Sequence, residues 1–303
     1  MIFVDPGPEE LAIAHAGRAA HVNECASLEE LSILLRRASG QAGGSRRQVP
    51  RLEQLAYLAR QPLPLYAAQH TLGLAIQPFR TPLRQAVASA GALVTGPLRR
   101  GGPSMHPQIA GARLCEQCVE GDLREHPYSW YRRVHHVHGV EWCPTHQTAL
   151  LVVDDPYPFL RTPDNWVREG KIAPIHANHE KIQHQGKILG RYTTLVGEIM
   201  KRGLALDRVD VQRLLRGWHG KRAAGSPLKA WLSDRIQEEV SPRWLTQHIP
   251  DWKNKRRGVP FPRLDDLMRR LAPTTRSRDF FLAAAATLET QEIVMQSTSR
   301  HGA

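Results

Sequence analysis

Residues 113–122 read R-L-C-E-Q-C-V-E-G-D, and residues 143–146 read C-P-T-H. Each stretch holds two metal-ligating side chains three positions apart, so the two side chains of one stretch can coordinate the same ion from a tight turn. Three thiolates and one imidazole suit a structural zinc ion, which would tie two chain segments together and leave no coordination position for a substrate. The alternative interpretation is a set of buried thiols without a metal and a histidine at the surface. The candidate ligands are Cys115, Cys118, Cys143 and His146.

The residues between the two pairs carry a further motif. Residues 130–139 read W-Y-R-R-V-H-H-V-H-G and follow an acidic stretch. With the two pairs, this order resembles the TniQ/TnsD family of transposon target-selection proteins, which combine a C-P-x-C-type knuckle, an acidic stretch, an aromatic-Arg-Arg-x-His-x-x-x-Gly element and C-P-x-H. The matching positions are Cys115, Cys118, Asp122, Tyr131, Arg132, Arg133, His135, Gly139, Cys143, Pro144 and His146. Glu116 replaces the usual proline of the first knuckle and His138 is also atypical, but neither departure removes a ligand.

Two amphipathic segments near the amino terminus predict a pair of helices. Residues 9–21 have helical spacing, and an apolar stripe follows Ser27, which forms a capping box with Glu30. Two helices with a short turn fit a helix-turn-helix that could enter a DNA major groove. The alternative is an ordinary core pair, which is common in all-helical domains. The segment loosely resembles the family's amino-terminal element at Pro8, Glu9, Leu11, Arg18, Asn23, Ser27 and Leu28.

The remaining chain reads mainly as helices and loops. Proline- and glycine-rich composition predicts loops at 41–48, 99–104 and 156–186. Aromatic and valine residues within 130–142 predict short strands or a hairpin. Further helices are predicted at 51–60, 65–74, 83–92, 188–202, 211–218, 226–240, 241–248, 264–271 and 280–288. The helices after residue 188 predict a compact bundle that contains a second candidate helix-turn-helix.

The charge of the chain indicates a polyanionic partner. Lys and Arg number 41 against 29 Asp and Glu, a formal net charge of +12 over 303 residues. Basic surfaces bind phosphates with release of counterions, so we expect nucleic acid as the partner. The densest cationic run is 253–257, and the candidate phosphate-binding side chains are Arg132, Arg133, Lys253, Lys255, Arg256 and Arg257. The alternative is a set of solvated charges.

Cysteine usage and hydropathy predict a reducing compartment, which the family resemblance implies is the bacterial cytoplasm. Three of the four cysteines have metal spacing, which favours a reducing compartment over a disulfide framework. The first residues lack a basic region followed by an apolar run, so we expect no signal peptide. We also expect no membrane span, since no stretch of about twenty apolar residues occurs.

The sequence as a whole predicts a mainly α fold. It would comprise amino-terminal helix-turn-helix-like helices, a central structural zinc-finger or zinc-ribbon module and a carboxy-terminal helical bundle. The expected boundaries are an amino-terminal region at 1–100, the zinc module at 101–155, a helical domain at 156–290 and a flexible tail at 291–303.

The family resemblance implies a non-enzymatic adaptor for DNA transposition. Such an adaptor binds target DNA, or a DNA-bound RNA-guided CRISPR effector complex, and recruits an AAA+ transposition ATPase; a homodimer is among the assemblies that the resemblance allows. The chain has no Walker A motif of its own, no convincing Asp-Asp-Glu triad and no Gly-x-Ser-x-Gly elbow. Two alternatives are a zinc-containing sequence-specific DNA-binding regulator and a zinc nuclease that uses the crowded His135, His136 and His138.

Overall fold

The computed structural model describes most of the chain. Described residues are 1–40, 50–76, 78–79, 105–175, 187–203, 206–223, 231–271 and 275–288, with the helix but not the side chains described at 218–223. The chain divides into two compact units. Unit 1 comprises Met1–Gly73, Thr81–Val137 and Ala149–His179, and unit 2 comprises Leu74–Arg80, His138–Thr148 and Glu180–Ala303.

Unit 1 begins with four helices around an alanine- and leucine-rich core. They are α1 (Ala12–Val22), α2 (Leu28–Ala38), α3 (Leu52–Leu58) and α4 (Leu63–His70). The short α5 (Gly73–Ile76) follows in sequence, and its last three residues belong to unit 2. Ser27 caps α2 through its hydroxyl, which accepts a hydrogen bond from the Glu30 N–H at 3.2 Å. The Glu30 carboxylate accepts instead from the Ala26 N–H at 2.7 Å, so the capping interaction extends one residue further than predicted.

The rest of unit 1 surrounds a small antiparallel sheet of order β1-β2-β3. The strands are β1 (Arg113–Leu114), β2 (Leu151–Val153) and β3 (Ile172–Pro174), and Leu151 pairs with both Leu114 and Pro174. Helices α6 (Glu116–Glu125) and α7 (Pro163–Glu169) and 3₁₀ turns at Arg133–His136 and Pro158–Leu160 complete the unit. The second 3₁₀ turn packs directly on α1, because a Cβ at Gly17 would lie 1.6 Å from the Phe159 carbonyl oxygen.

Two expectations for this region are wrong. Residues 130–142 form no hairpin: Arg133–His136 is a 3₁₀ turn, and its neighbour Arg132 forms only an isolated bridge with Glu10. The expected loop at 156–186 contains α7 and β3 within its described part. In α7, proline occupies the first turn and Gly170 ends the helix with φ +67°, which are ordinary start and stop signals hidden among the other prolines.

Unit 2 is helical, with two further 3₁₀ turns. Its longer helices are α8 (Lys187–Arg202), α9 (Arg208–Ala223), α10 (Leu232–Glu239), α11 (Pro242–His248) and α13 (Ser277–Thr287), and a four-residue α12 (Pro262–Asp265) precedes α13. The 3₁₀ turns are Pro250–Asn254 and Asp266–Met268. Helix α8 buries one continuous apolar face that includes Leu189, Tyr192 and Val196, and it packs against α13.

The mainly α fold class is therefore confirmed, and most predicted helices are present with shifted ends. The segment at 264–271 is broken into α12 and a 3₁₀ turn. Gly203 follows α8 with φ +65°, as expected of a helix stop. The predicted loops at 41–48 and 99–104, the helix at 83–92, the start of the helix at 226–240 and the tail at 291–303 lie outside the described residues. Within the described residues, no helix is long and apolar enough to span a bilayer.

Candidate metal centre and nucleic-acid surface

The first cysteine pair lies at the start of α6. Cys115 is the residue immediately before the helix, between it and β1, and Cys118 lies in the first helical turn. Both side chains are buried. Because Cys115 caps the helix and Cys118 lies in its first turn, the three-residue spacing places both side chains at the same end of the helix.

The second pair lies in a tight turn. The Gln147 N–H donates to the Cys143 carbonyl at 2.7 Å, and the Cys143 N–H donates to the Thr148 carbonyl at 2.9 Å. Gln147 adopts φ +57°, the left-handed conformation that closes the turn. As a result Cys143 Sγ lies 3.6 Å from His146 Nδ1.

The four predicted ligands come together. One ligand atom each from Cys115, Cys118, Cys143 and His146 lies within 4.8 Å of every other, and the three cysteines are buried. Tetrahedral zinc with Zn–S of about 2.3 Å and Zn–N of about 2.0 Å would hold sulfur and nitrogen about 3.5 Å apart, close to the 3.6 Å between Cys143 Sγ and His146 Nδ1. The donor set and its spacing therefore fit a closed structural zinc site held by three thiolates and one imidazole.

Within unit 2, close packing holds the segment that carries the second pair. The Tyr192 hydroxyl donates to the His138 carbonyl at 2.6 Å. Gly197 of α8 faces the knuckle proline, because an added Cβ there would lie 3.0 Å from Pro144 Cβ. The knuckle thus rests on a helix that presents no side chain at the point of contact.

The neighbouring histidines do not build a second site. His136 Nε2 accepts from the Arg113 N–H at 3.0 Å, so Nδ1 carries the proton and donates to the Arg132 carbonyl at 3.0 Å. Burial lowers the pKa of His136 to about 3. Both nitrogens are occupied, which leaves His136 no lone pair for a metal. Within the described residues, Cys115, Cys118, Cys143 and His146 form the only group with metal-like spacing, and His135, His136 and His138 are not part of it.

Arg132 is paired inside the family motif. It makes a two-pronged ion pair with Asp122, with Nη1 to Oδ2 at 3.0 Å and Nη2 to Oδ1 at 2.6 Å. Burial raises the pKa of Asp122, against the opposing effect of Arg132. The guanidinium also lies over the Trp130 ring, 5.3 Å from its centroid. This arginine therefore joins α6 to the segment before the 3₁₀ turn.

Arg133 lies inside unit 1. Its side chain is 2% exposed and lies 3.7 Å from the Glu9 carboxylate. Its guanidinium donates to the carbonyls of Thr71, at 3.1 Å, and Ala68. Burial lowers the pKa of Arg133 to about 10. These contacts satisfy carbonyls at the end of α4, a structural function that the sequence motif did not indicate.

The cationic run at 253–257 divides into two groups. The side chain of Lys255 is 1% exposed and forms an ion pair with Asp234 of α10. Arg257 is 80% exposed and pairs with Glu238 at 2.7 Å. Lys253 and Arg256 are exposed at the surface of unit 2. Their contact with nucleic acid stays a prediction.

Binding of the amino-terminal helix pair to DNA also stays a prediction. Helices α1 and α2 are joined by a short turn, as a helix-turn-helix requires. However, the first turn of α2 carries Glu29 and Glu30. Carboxylates at this end would repel the phosphates that a recognition helix approaches.

Comparison with known proteins relates the chain to a family. A family model described as TniQ matches residues 1–150. The matched range contains all four ligands of the cluster and the Asp122–Arg132 pair. No match was found among curated proteins.

Proposed function

This chain is a member of the TniQ family, and we propose that it serves as a target-selection adaptor for DNA transposition. In this role it binds the target, either as DNA or as a DNA-bound RNA-guided CRISPR effector complex, and recruits an AAA+ ATPase that brings in the transposase. The adaptor does no covalent chemistry of its own. Its zinc thiolates need a reducing compartment, for which we propose the bacterial cytoplasm.

The observation that carries this proposal is the Cys3His cluster within the TniQ match. Four ligands fill a tetrahedral shell, so a bound zinc ion would stabilise the fold instead of activating water. A closed shell leaves this ion no position for a water nucleophile, which agrees with an adaptor better than with a nuclease that acts through this metal.

We assign the contact with phosphates to the exposed cations of unit 2. Lys253 and Arg256 are exposed. Lys253 lies in the 3₁₀ turn Pro250–Asn254 and Arg256 lies just after it, and Lys255 between them is ion-paired with Asp234 of α10. Arg132 and Arg133 have a supporting function instead, because their guanidiniums are engaged within unit 1. Contacts of this kind fix the position of the protein on DNA but do not read its sequence.

The test is to map insertions in cells that carry the associated transposition genes, with and without this chain. Loss or scattering of insertions at the target in its absence is expected, and Cys143→Ser should behave like the deletion. Cys25→Ser is the matched control, since Cys25 lies outside the cluster. An unchanged insertion pattern without the chain would contradict the proposal.

A pull-down separates the adaptor from the DNA-binding regulator. The tagged full-length chain should retain the AAA+ ATPase in the presence of target DNA. Tight DNA binding with no retention of the ATPase would favour the regulator.

A further inference from the structure

One face of α9 is hydrogen-bonded to residues 267–271, which include the end of the 3₁₀ turn Asp266–Met268 and the residues that follow it. The Gln212 side chain donates to the Leu267 carbonyl at 3.3 Å and accepts from the Leu271 N–H. One helical turn later, Arg216 donates to the carbonyl of Arg269 from Nε at 3.2 Å and from Nη2 at 2.9 Å. These bonds fix the turn against the helix, so the side chains at its tip are held beside Arg216.

The result is a group of three cations that form no ion pair within the described residues, although Asp266 lies in the same turn. Arg216, Arg269 and Arg270 are exposed. In the part of the chain that the structure describes, none of the three pairs with a carboxylate. By contrast, the adjacent Arg213 of α9 is paired with Asp210 at 2.9 Å.

This difference points to an external anion. Like charges held together repel one another, and within the described residues no ion pair offsets that repulsion as the Asp210 pair does at Arg213. Arginine presents five N–H donors in a planar fork, and the Arg269 carbonyl engages only Nε and Nη2 of Arg216. The remaining donors suit phosphate oxygens, which arginine binds through paired hydrogen bonds.

We propose that Arg216, Arg269 and Arg270 form a phosphate-binding patch for the phosphodiester backbone of nucleic acid, in addition to the loop at 253–257. This inference rests on the proposed function and names a further surface for it. The patch contributes affinity and register, while base specificity comes from elsewhere.

The test is the salt dependence of binding by the full-length protein, measured by fluorescence anisotropy with a short duplex DNA and with an RNA of the same sequence. Arg269→Ala/Arg270→Ala is the informative variant, because these side chains are exposed and their removal should leave the melting temperature unchanged. For duplex DNA, the slope of log K against log salt should fall by about 0.9 for each phosphate that the variant no longer neutralises. Arg161→Ala/Arg202→Ala is the control: it removes the same charge from arginines that are paired with Glu169 and Glu198.

A smaller slope in the patch variant than in the control supports the patch, and the probe whose binding weakens identifies DNA or RNA as its ligand. Equal slopes in the two variants would overturn it, because net charge alone would then account for the effect. An unchanged slope in the patch variant, with a reduced slope in Lys253→Ala/Arg256→Ala, would overturn the patch and leave the proposed function intact. No binding of either probe by the wild-type protein would overturn the patch together with direct nucleic-acid recognition.

Discussion

The indole N–H of Trp244 donates to the carbonyl oxygen of Gly139 at 3.1 Å. Gly139 has φ +85°, and a Cβ there would lie 2.9 Å from the Trp244 ring and 2.9 Å from the Tyr192 hydroxyl. A side chain at this position would strain the backbone and displace two buried aromatic rings. The glycine therefore allows the segment before the second metal knuckle to lie directly on α8 and α11.

Gly139→Ala should lower the free energy of unfolding by at least about 2 kcal/mol, from left-handed backbone strain plus crowding in a packed core. Urea denaturation measures the decrease. Gly258→Ala is the control, because Gly258 has φ +76° but no atom within 4 Å of its Cβ position. It should cost only the backbone term of about 1 kcal/mol. Equal decreases in the free energy of unfolding for the two variants would show that the Trp244 and Tyr192 rings move aside at no cost.

Two glycines of α8 should respond to alanine in opposite directions. At Gly197 the new methyl would press on Pro144 of the knuckle, at 3.0 Å, whereas at Gly190 no atom lies within 4 Å. Gly197→Ala should lower the melting temperature and speed the transfer of zinc to a chelator. Gly190→Ala should stabilise the protein by about 0.5–1 kcal/mol through helix propensity. The same sign for both variants would contradict the contact between α8 and the knuckle.

The helix ends that local interactions determine could be predicted from the sequence. The Ser27 cap and the Gly203 stop are present where the residues indicate them, since cap and stop geometry depend on neighbours in sequence. The metal ligands were also predictable, because the spacing within each pair places its two side chains together. The approach of the two pairs to each other depends on the tertiary structure, and the repeated spacing only suggested it.

Interactions between distant residues account for what the sequence did not reveal. Arg133 reads as a surface cation, but its acceptors are the carbonyls of Ala68 and Thr71, more than 60 positions away. Lys255 reads as part of a solvated charge run, but Asp234 removes it from solvent. Only the fold shows which member of a basic motif is exposed.

Removal of a ligand should reduce both zinc content and stability. Cys115→Ser or Cys143→Ser should reduce bound zinc and lower the melting temperature, because the binding energy of a structural metal is folding energy. Elemental analysis and thermal melts measure the two effects. Cys25→Ser, outside the cluster, should retain zinc at the wild-type level. A ligand variant with full zinc and an unchanged melting temperature would show that the assignment is wrong.

Acid should destabilise unit 1 through a buried neutral histidine. His15 lies between the Tyr66 hydroxyl, 2.7 Å from Nδ1, and the Val4 carbonyl, 2.8 Å from Nε2. Burial lowers its pKa from 6.5 to about 3. The unfolded chain therefore binds a proton that the folded chain does not, and stability falls as pH decreases from 6.5 toward 3.

The slope contributed by His15 should approach about 1.4 kcal/mol per pH unit within that window. Urea denaturation at several pH values measures it. His15→Gln should be less stable at neutral pH but should show a shallower dependence on pH. A variant with the wild-type slope would assign the acid sensitivity to other groups.

Substitutions in the cationic run at 253–257 should separate effects on DNA binding from effects on folding. Lys253→Ala/Arg256→Ala should reduce the salt dependence of DNA binding by about 0.9 for each phosphate that is no longer neutralised, with little effect on the melting temperature. Lys255→Ala should instead lower the melting temperature and have little effect on the salt dependence of DNA binding. It leaves the buried Asp234 carboxylate without its cation, at a cost of about 3 kcal/mol. Lys255→Ala should leave the salt dependence of DNA binding largely unchanged, because the Lys255 side chain is not exposed to phosphate. If Lys255→Ala folds normally and flattens the salt dependence, then Lys255 leaves Asp234 to bind phosphate, and the division of the loop into exposed and supporting cations is wrong.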